Sequence, residues 1–426
     1  MPIDLTPAGL GRPYPRRPRL LPWLGIWVAC NVFGSAAAVL LWPRSVPAHG
    51  VRFWFCVFSI PNLTFLFLLG IRQAGFEAQW LLAWHWNRAR IRWLAGAIKR
   101  GQRPLQVLGI GYCLPLGSQD LAAAIATGKP LMKAQPARLG SGLPIHNRFD
   151  DTSATIVLPE DDDQFCSDID TETPRESPEQ IPSVVLKIVE ALLPLTPSIE
   201  ALARYGPAYA PVVRVLAQPE DAPLREQQVR EALQRIGLPG LECATVPASQ
   251  GLMVADAWLD SGERRPLLVI GVDWQDGAPL ENGTEGCVAV LFNTGFYHLP
   301  KSVRVLGFLH RPVVGNLEAL CDLLTMTLLW GGAEASAVTR TWITALGSEH
   351  DRALIAAWKA ASLEQLAKAE AQCRPDRIIG HAAPLNPWLS VAAAMSCGAS
   401  GAQLIMDRAQ AAVVYVTPSP NDNIEQ

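Results

Sequence analysis

Residues 242–274 read ECATVPASQGLMVADAWLDSGERRPLLVIGVDW. Ala248 to Ser261 reads as a helix, with Pro247 near its start, where a missing backbone N–H costs little. Gly262 then breaks the chain. Leu267 to Val272 is a short, wholly apolar run of the kind that forms a buried strand. Working outward, the same alternation repeats. Further helices are expected over Ser183–Leu193, Pro197–Tyr205, Leu224–Ile236, Asn316–Leu329, Ser336–Leu346, His350–Ala371 and Pro387–Met395. Further strands are expected over Leu105–Ile110, Val212–Leu216, Cys287–Phe292, Ser302–His310, Ala402–Met406 and Ala412–Val416. Gly109 and Gly111 read as a tight strand-to-helix turn, with Ser118 as the following N-cap. No third glycine stands at dinucleotide spacing. Apolar strands alternating with helices predict a layered α/β body from about residue 104 onward.

The chain begins differently. Residues 20–42, LLPWLGIWVACNVFGSAAAVLLW, hold no charge, and neither do the 19 residues from Phe53 to Ile71. A bilayer crossing takes about 20 apolar residues, so both runs predict transmembrane helices, the alternative being a buried core hairpin. Arg12, Arg16, Arg17 and Arg19 precede the first run, and Arg72, Arg88, Arg90, Arg92, Lys99, Arg100 and Arg103 follow the second. The connecting loop holds only Arg44 and Arg52. Cations collect on the cytoplasmic side, so both termini are expected in the cytoplasm, with the anchor in a bacterial inner membrane. Eight of the 14 Trp lie in the first 93 residues. Residues 73–103 combine Trp80, Trp84 and Trp93 with basic side chains and read as a juxtamembrane helix at headgroup level, or as a solvated linker.

The expected organisation is a hairpin over 1–72 and a basic helix over 73–103. A first strand–helix unit covers 104–149, an acidic insertion 150–182, the rest of the body 183–416 and a tail 417–426. Residues 150–180 hold eleven acidic residues against Arg175 alone, a composition that reads as a solvated segment or as a docking segment for a basic partner. A formal net charge of −3 gives no electrostatic case for nucleic acid. The nine cysteines include no CxxC pair, so neither a disulfide framework nor a structural zinc is expected, and no metal or cofactor is implied. No Gly-x-Ser-x-Gly elbow is present, which speaks against a lipase.

Four segments resemble the thiolase-like fold of the β-ketoacyl synthases. LQVLGIGYCLPLGSQDLAAAIATGKP (105–130) is similar to its first strand, turn and helix, and residues 242–274 to the stretch around its nucleophilic cysteine. GCVAVLF (286–292) is similar to a later strand, and IGHAAPLNPWLSVAAAMSCG (379–398) to the stretch with its second histidine. A membrane hairpin leading into LQVLGIG, then VLGFLHRPV (305–313) and residues 380–420, resembles the type VI secretion lipase-adaptor family, with little match over 145–240. That resemblance implies a membrane-anchored adaptor that binds a phospholipase effector and couples it to the secretion spike. An immunity protein is a third option. Thiolase-like bodies usually pair, which implies a possible homodimer.

The thiolase resemblance nominates Cys243, His350 and His381. Acyl transfer needs a thiolate at a helix head and imidazoles that polarise a carbonyl. The plain alternative is a buried, inert Cys243, and the order Gly-Ser-Glu-His at His350 departs from the family's His-Gly-Thr. No catalytic site is therefore expected. Asp273 ends a buried strand, a common ligand position, and His310 and Arg311 follow another. Asp256, Asp260 and Glu263 read as surface charge.

Overall fold

The computed structural model describes residues 3–19, 21–117, 119–139, 142–150, 181–238 and 240–418. Ser118, nearly all of the acidic insertion and the end of the tail lie outside the described residues. The chain divides into an N-terminal unit, Ile3–Lys99, and a body beginning at Arg100.

The N-terminal unit is a helical hairpin. Helix α1 spans Leu21–Leu40 and α2 spans Val51–Gly101, and both are long and apolar enough to cross a membrane. At 1.5 Å per residue α1 covers about 30 Å, the thickness of a bilayer's hydrocarbon core, and it buries none of its side chains in protein. Polar side chains fasten the two helices. Trp27 Nε1 donates to Asn62 Oδ1 at 2.9 Å, and Asn62 Nδ2 donates to Asn31 Oδ1 at 2.9 Å. Ser35 Oγ donates to the Val57 carbonyl at 2.9 Å. Small and amide side chains at a helix contact are what lipid-embedded helices use in place of hydrophobic burial. Phe55–Ser59 form a π turn just before Pro61, which relieves the ladder where proline offers no N–H.

The basic, Trp-rich stretch is not a separate helix: α2 continues through it without a break to Gly101. An extended arm runs beside it. The Asn87 amide brackets the Arg12 backbone, accepting from its N–H at 2.8 Å and donating to its carbonyl at 2.9 Å. Trp86 Nε1 donates to the Leu10 carbonyl at 3.1 Å, and the Arg12 guanidinium stacks 4.9 Å from the Trp86 ring.

The body is the same sheet built twice. Its strands are β1 (Leu105–Cys113), a small hairpin β2 (Lys133–Ala134) and β3 (Ile145–His146), then β4 (Val212–Ala217), β5 (Cys243–Pro247), β6 (Leu267–Asp273) and β7 (Gly286–Asn293). They continue with β8 (Gly307–Leu309), β9 (Val313–Val314), β10 (Val338–Thr344), β11 (Gln372–Cys373), β12 (Gly401–Asp407) and β13 (Gln410–Val416). The first half lies in the order β5-β4-β6-β7-β1, the second in the order β11-β10-β12-β13-β8. Numbered within each half, both read 3-2-4-5-1. In both, the fifth strand runs antiparallel to its neighbours and the second lies parallel to the third and fourth. β1 pairs antiparallel with β8 and joins the halves.

Helices α3 (Leu121–Ala126), α4 (Ser183–Leu192), α5 (Thr196–Ala203), α6 (Ala222–Arg235), α7 (Met253–Asp260), α8 (Leu320–Gly331), α9 (Asp351–Ala360) and α10 (Asn386–Ser396) complete the body. The inward faces of both half-sheets close on α7 and α10 in one core. Helix α10 is buried on every side from Asn386 to Ala394, and the Trp388 ring meets Phe292 of β7 edge-on at 5.8 Å. A second core lies between the first half-sheet and α4 and α6. Helices α8 and α9 pack together, with α8 on β13 of the second half. The result is a five-layered α/β arrangement with two helices at its centre.

Several expectations change. The helix expected over Ser336–Leu346 is replaced by strand β10, Val338–Thr344, because Val338, Thr339, Thr341, Ile343 and Thr344 are β-branched and favour a pleated surface. The helix expected from Ala248 begins at Met253, and the one expected to reach Ala371 ends at Ala360. Strand β8 is three residues long rather than nine. Gly109 and Gly111 lie inside β1, not in a turn. A Cβ at Gly111 would stand 2.0 Å from the Ala191 carbonyl oxygen, so the glycine is what lets α4 lie against the strand. Asp120 caps α3, accepting from the N–H groups of Ala122 and Ala123.

Candidate functional site

Each half has a corner where its third strand leads to the central helix. In the first half β5 ends at Pro247, a 3-10 turn covers Ala248–Gln250, and Gly251 takes φ +49° before α7. The head of α7 would be the place for a nucleophile, since its N–H groups are unpaired and its dipole favours an anion. It is filled instead by Gln410, the first residue of β13. The Leu252 N–H donates to Gln410 Oε1 at 2.9 Å, and Gln410 Nε2 donates to the carbonyls of Gln250 at 3.1 Å and Ser249 at 3.4 Å. A Cβ on residue 251 would meet Gln410 Oε1 at 2.7 Å. The glycine therefore admits both the backbone turn and the amide.

Cys243 is not at this corner. It is the first residue of β5, about 13 Å along the strand from Pro247 at 3.3 Å per residue. Its thiol is buried and donates to the Leu241 carbonyl at 3.6 Å. Burial pushes its pKa up; Arg230 beside it pulls the other way. A thiol held neutral is a poor nucleophile.

In the second half β11 leads through a helical turn, Pro375–Ile378, to Gly380, His381 and α10. The His381 backbone bridges to Gly283 of the first half. Asn386 Oδ1 accepts from the Ala382 N–H at 3.0 Å, which fixes the amide so that Asn386 Nδ2 donates to His381 Nδ1 at 2.8 Å. Nδ1 is then an acceptor, and the ring proton sits on Nε2. Burial holds the imidazole below its usual pKa, Asp376 opposing and Arg408 reinforcing the effect. His381 is thus a neutral donor.

One carboxylate, Asp376, acts on the ring, and a second, Asp407, acts on Asp376's side of the corner. Asp376 accepts from the Ala345 N–H at 2.8 Å, and burial raises its pKa. Asp407 accepts from Thr344 Oγ1 at 2.8 Å and is pushed up to about 6 by burial. The residues leaving β10, Ala345-Leu346-Gly347, bring no imidazole. His350 lies in a turn before α9 with Nδ1 3.2 Å from the Glu349 carboxylate. Among the described residues no hydrogen bond or ion pair links His350, His381 and Cys243.

Asp273 ends β6 and is pushed up to about 7 by burial and by Glu285, against the pull of Arg225. Glu285 is fully buried and satisfied, paired with Arg138 and accepting from the N–H groups of Phe149 and Gln275, both at 2.9 Å. His310 Nδ1 lies 3.2 Å from the Gln102 carbonyl, and burial lowers its pKa. Arg311 donates to Asp256 at 2.9 Å and Asp260 at 2.6 Å. Those carboxylates sit on α7, so the pair ties the second half to the first, and Asp256 is buried rather than on the surface. Asn386, Asp407 and Gln410 lie within the stretches quoted for a resemblance and Asp376 lies outside them, but no local signal marks any of the four, because their partners are brought to them only by the fold. Among the described residues no three His, Cys, Asp or Glu side chains form a metal cluster.

No family model matches the chain, and no curated protein does. Solved structures do. The ketosynthase from module 6 of the bacillaene synthase of Bacillus subtilis 168 superposes with a TM-score of 0.53 at 12% identity, over 74% of this chain and 71% of that one. The oxazolomycin ketosynthase domain OzmH KS7 of Streptomyces albus JA3453 gives 0.49 at 13% identity, over 75% of each chain. The peroxisomal 3-ketoacyl-CoA thiolase of Saccharomyces cerevisiae gives 0.45 at 9% identity, over 74% of this chain and 98% of that one. The first of these carries the assignment, and at such identity it reaches the fold alone: the body is a thiolase-like, ketosynthase-like layered α/β fold.

Proposed function

We propose that the chain is a non-enzymatic adaptor, anchored by its hairpin in a bacterial inner membrane with both termini in the cytoplasm. It binds a phospholipase-type effector of type VI secretion and couples it to the secretion spike. The observation that carries the reading is the first-half corner. Gln410 occupies the helix head that acyl transfer would need open, and Cys243 stands at the far end of β5, about 13 Å along the strand from Pro247 at 3.3 Å per residue. The resemblance of the hairpin, of residues 305–313 and of residues 380–420 to the lipase-adaptor family supplies the partners. The basic flanks of the two apolar helices support the orientation.

The test is a strain lacking the chain. Secretion of the phospholipase toxin should stop and should return with a Cys243→Ala/His350→Ala/His381→Ala variant as fully as with the wild type. Unimpaired secretion without the chain would remove the reading.

One observation favours a second reading, an acyl-transfer enzyme acting on thioesters at the membrane. His381 is a neutral Nε2–H donor in a ketosynthase-like fold, which suits a developing oxyanion. In that case the triple variant would fail to restore function while remaining folded.

A further inference from the structure

An aromatic surface lies on the body where the turn after α5 meets the residues following β7. Tyr205, in the turn after α5, meets Tyr209 at 5.6 Å between ring centres, and Tyr209 meets Tyr297 at 5.1 Å. Phe296, next to Tyr297, lies between two guanidiniums, Arg103 at 3.6 Å and Arg264 at 5.2 Å from its ring. Tyr205 is 62% exposed and Phe296 46%. The array is pinned from behind. Arg103 donates to the Thr294 carbonyl at 2.8 Å, and Thr294 Oγ1 donates to the Arg264 carbonyl at 2.8 Å.

The charge is one-sided. Residues 201–219 and 287–317 contain no Asp or Glu. Among the carboxylates nearby, Glu200 reaches Arg204 only at 4.0 Å, and Glu263 is taken up by Arg265 at 2.9 Å. Tyr, Phe and Arg held in place before binding make contacts at little entropic cost, and such residues dominate protein–protein hot spots.

We propose that this surface docks a protein partner through an acidic, aliphatic face, and that the partner is the effector cargo. Carboxylates would meet Arg103 and Arg264, and aliphatic side chains would cover the Tyr205–Tyr209–Tyr297 row. The proposal rests on the adaptor reading.

The test uses the full chain in nanodiscs and measures its affinity for the purified phospholipase toxin and, separately, for the purified spike protein. Phe296→Ala and Arg264→Glu should each weaken toxin binding about tenfold or more, the effect of losing a hot-spot residue. Spike binding should hold, as should thermal stability. Tyr415→Ala, an exposed tyrosine on β13, should leave toxin binding unchanged. Toxin binding by the wild type that neither variant shifts by more than about twofold would overturn this surface and leave the adaptor reading standing. Loss of spike binding alone would overturn the assignment to the cargo. Altered attachment to anionic vesicles with toxin binding intact would make it a membrane surface. A wild type that binds neither protein would end the adaptor reading and this surface with it.

Discussion

The two corners of the body share one topology and differ in content. In the first half the corner between β5 and α7 is closed by a side chain from the other half, since Gln410 satisfies the Leu252 N–H and two carbonyls of the turn. In the second half the corner between β11 and α10 holds His381, oriented by Asn386 and neutral, with Asp376 and Arg408 beside it. The same topology thus holds a polar site at one corner and a seam at the other.

If the seam is structural, breaking the tie between the halves should cost most. Arg311→Ala would leave Asp256 buried without its partner, and removing one member of a buried pair costs about 3–5 kcal/mol. Chemical denaturation of the full chain in detergent should show a loss of that order. A loss below about 1 kcal/mol would mean that the ion pair behaves as a surface contact.

How much of this was legible in the sequence depends on whether the signal was local. The apolar runs of α1 and the start of α2 declared themselves, as did β6, β7 and α10, whose periodicity and length left little choice. Strand β10 did not, because Ala335, Ala337 and Ala345 around its β-branched residues look helical until the sheet supplies partners on both sides. The thiolase resemblance points to Cys243, which the fold puts at the start of β5 and away from the helix head. A cysteine draws attention by type, whereas Gln410 acts only because the β12–β13 turn carries it 160 residues back along the chain to Gln250. His381 stands out in the sequence only through the resemblance of residues 379–398, and its tautomer does not stand out at all, because that rests on the Asn386 amide and on burial, which spacing does not encode.

The seam itself gives a smaller effect. Gln410→Ala removes three hydrogen bonds and leaves the Leu252 N–H unsatisfied in a part-buried turn, at about 1–3 kcal/mol. Differential scanning calorimetry should show a lower melting temperature, with toxin binding preserved once the protein is folded. A gain of thioester hydrolysis in this variant would mean that the corner is a masked active site rather than a seam.

Comparable in size, but dependent on pH, is the second corner. Asp407 is pushed up to about 6 by burial from an ordinary 3.8, so the folded state holds its proton more tightly than the unfolded chain. Stability from this group is full below about pH 4 and is lost as pH rises toward 6. Asp407→Asn keeps an oxygen for Thr344 Oγ1 and carries no charge. The variant should match the wild type near pH 4 and exceed it by about 1–3 kcal/mol at pH 7. Equal stability at both pH values would place Asp407 in a more solvated site than its neighbours indicate.

The proposed role is recognition rather than turnover. Its most direct test is to mix the purified full chain in nanodiscs with the phospholipase toxin and the spike protein, then weigh the complexes by mass photometry. A complex containing all three, formed equally by the wild type and by the variant lacking Cys243, His350 and His381, is the predicted result. Failure of the chain to retain either protein, or retention that disappears with those three side chains, would contradict it.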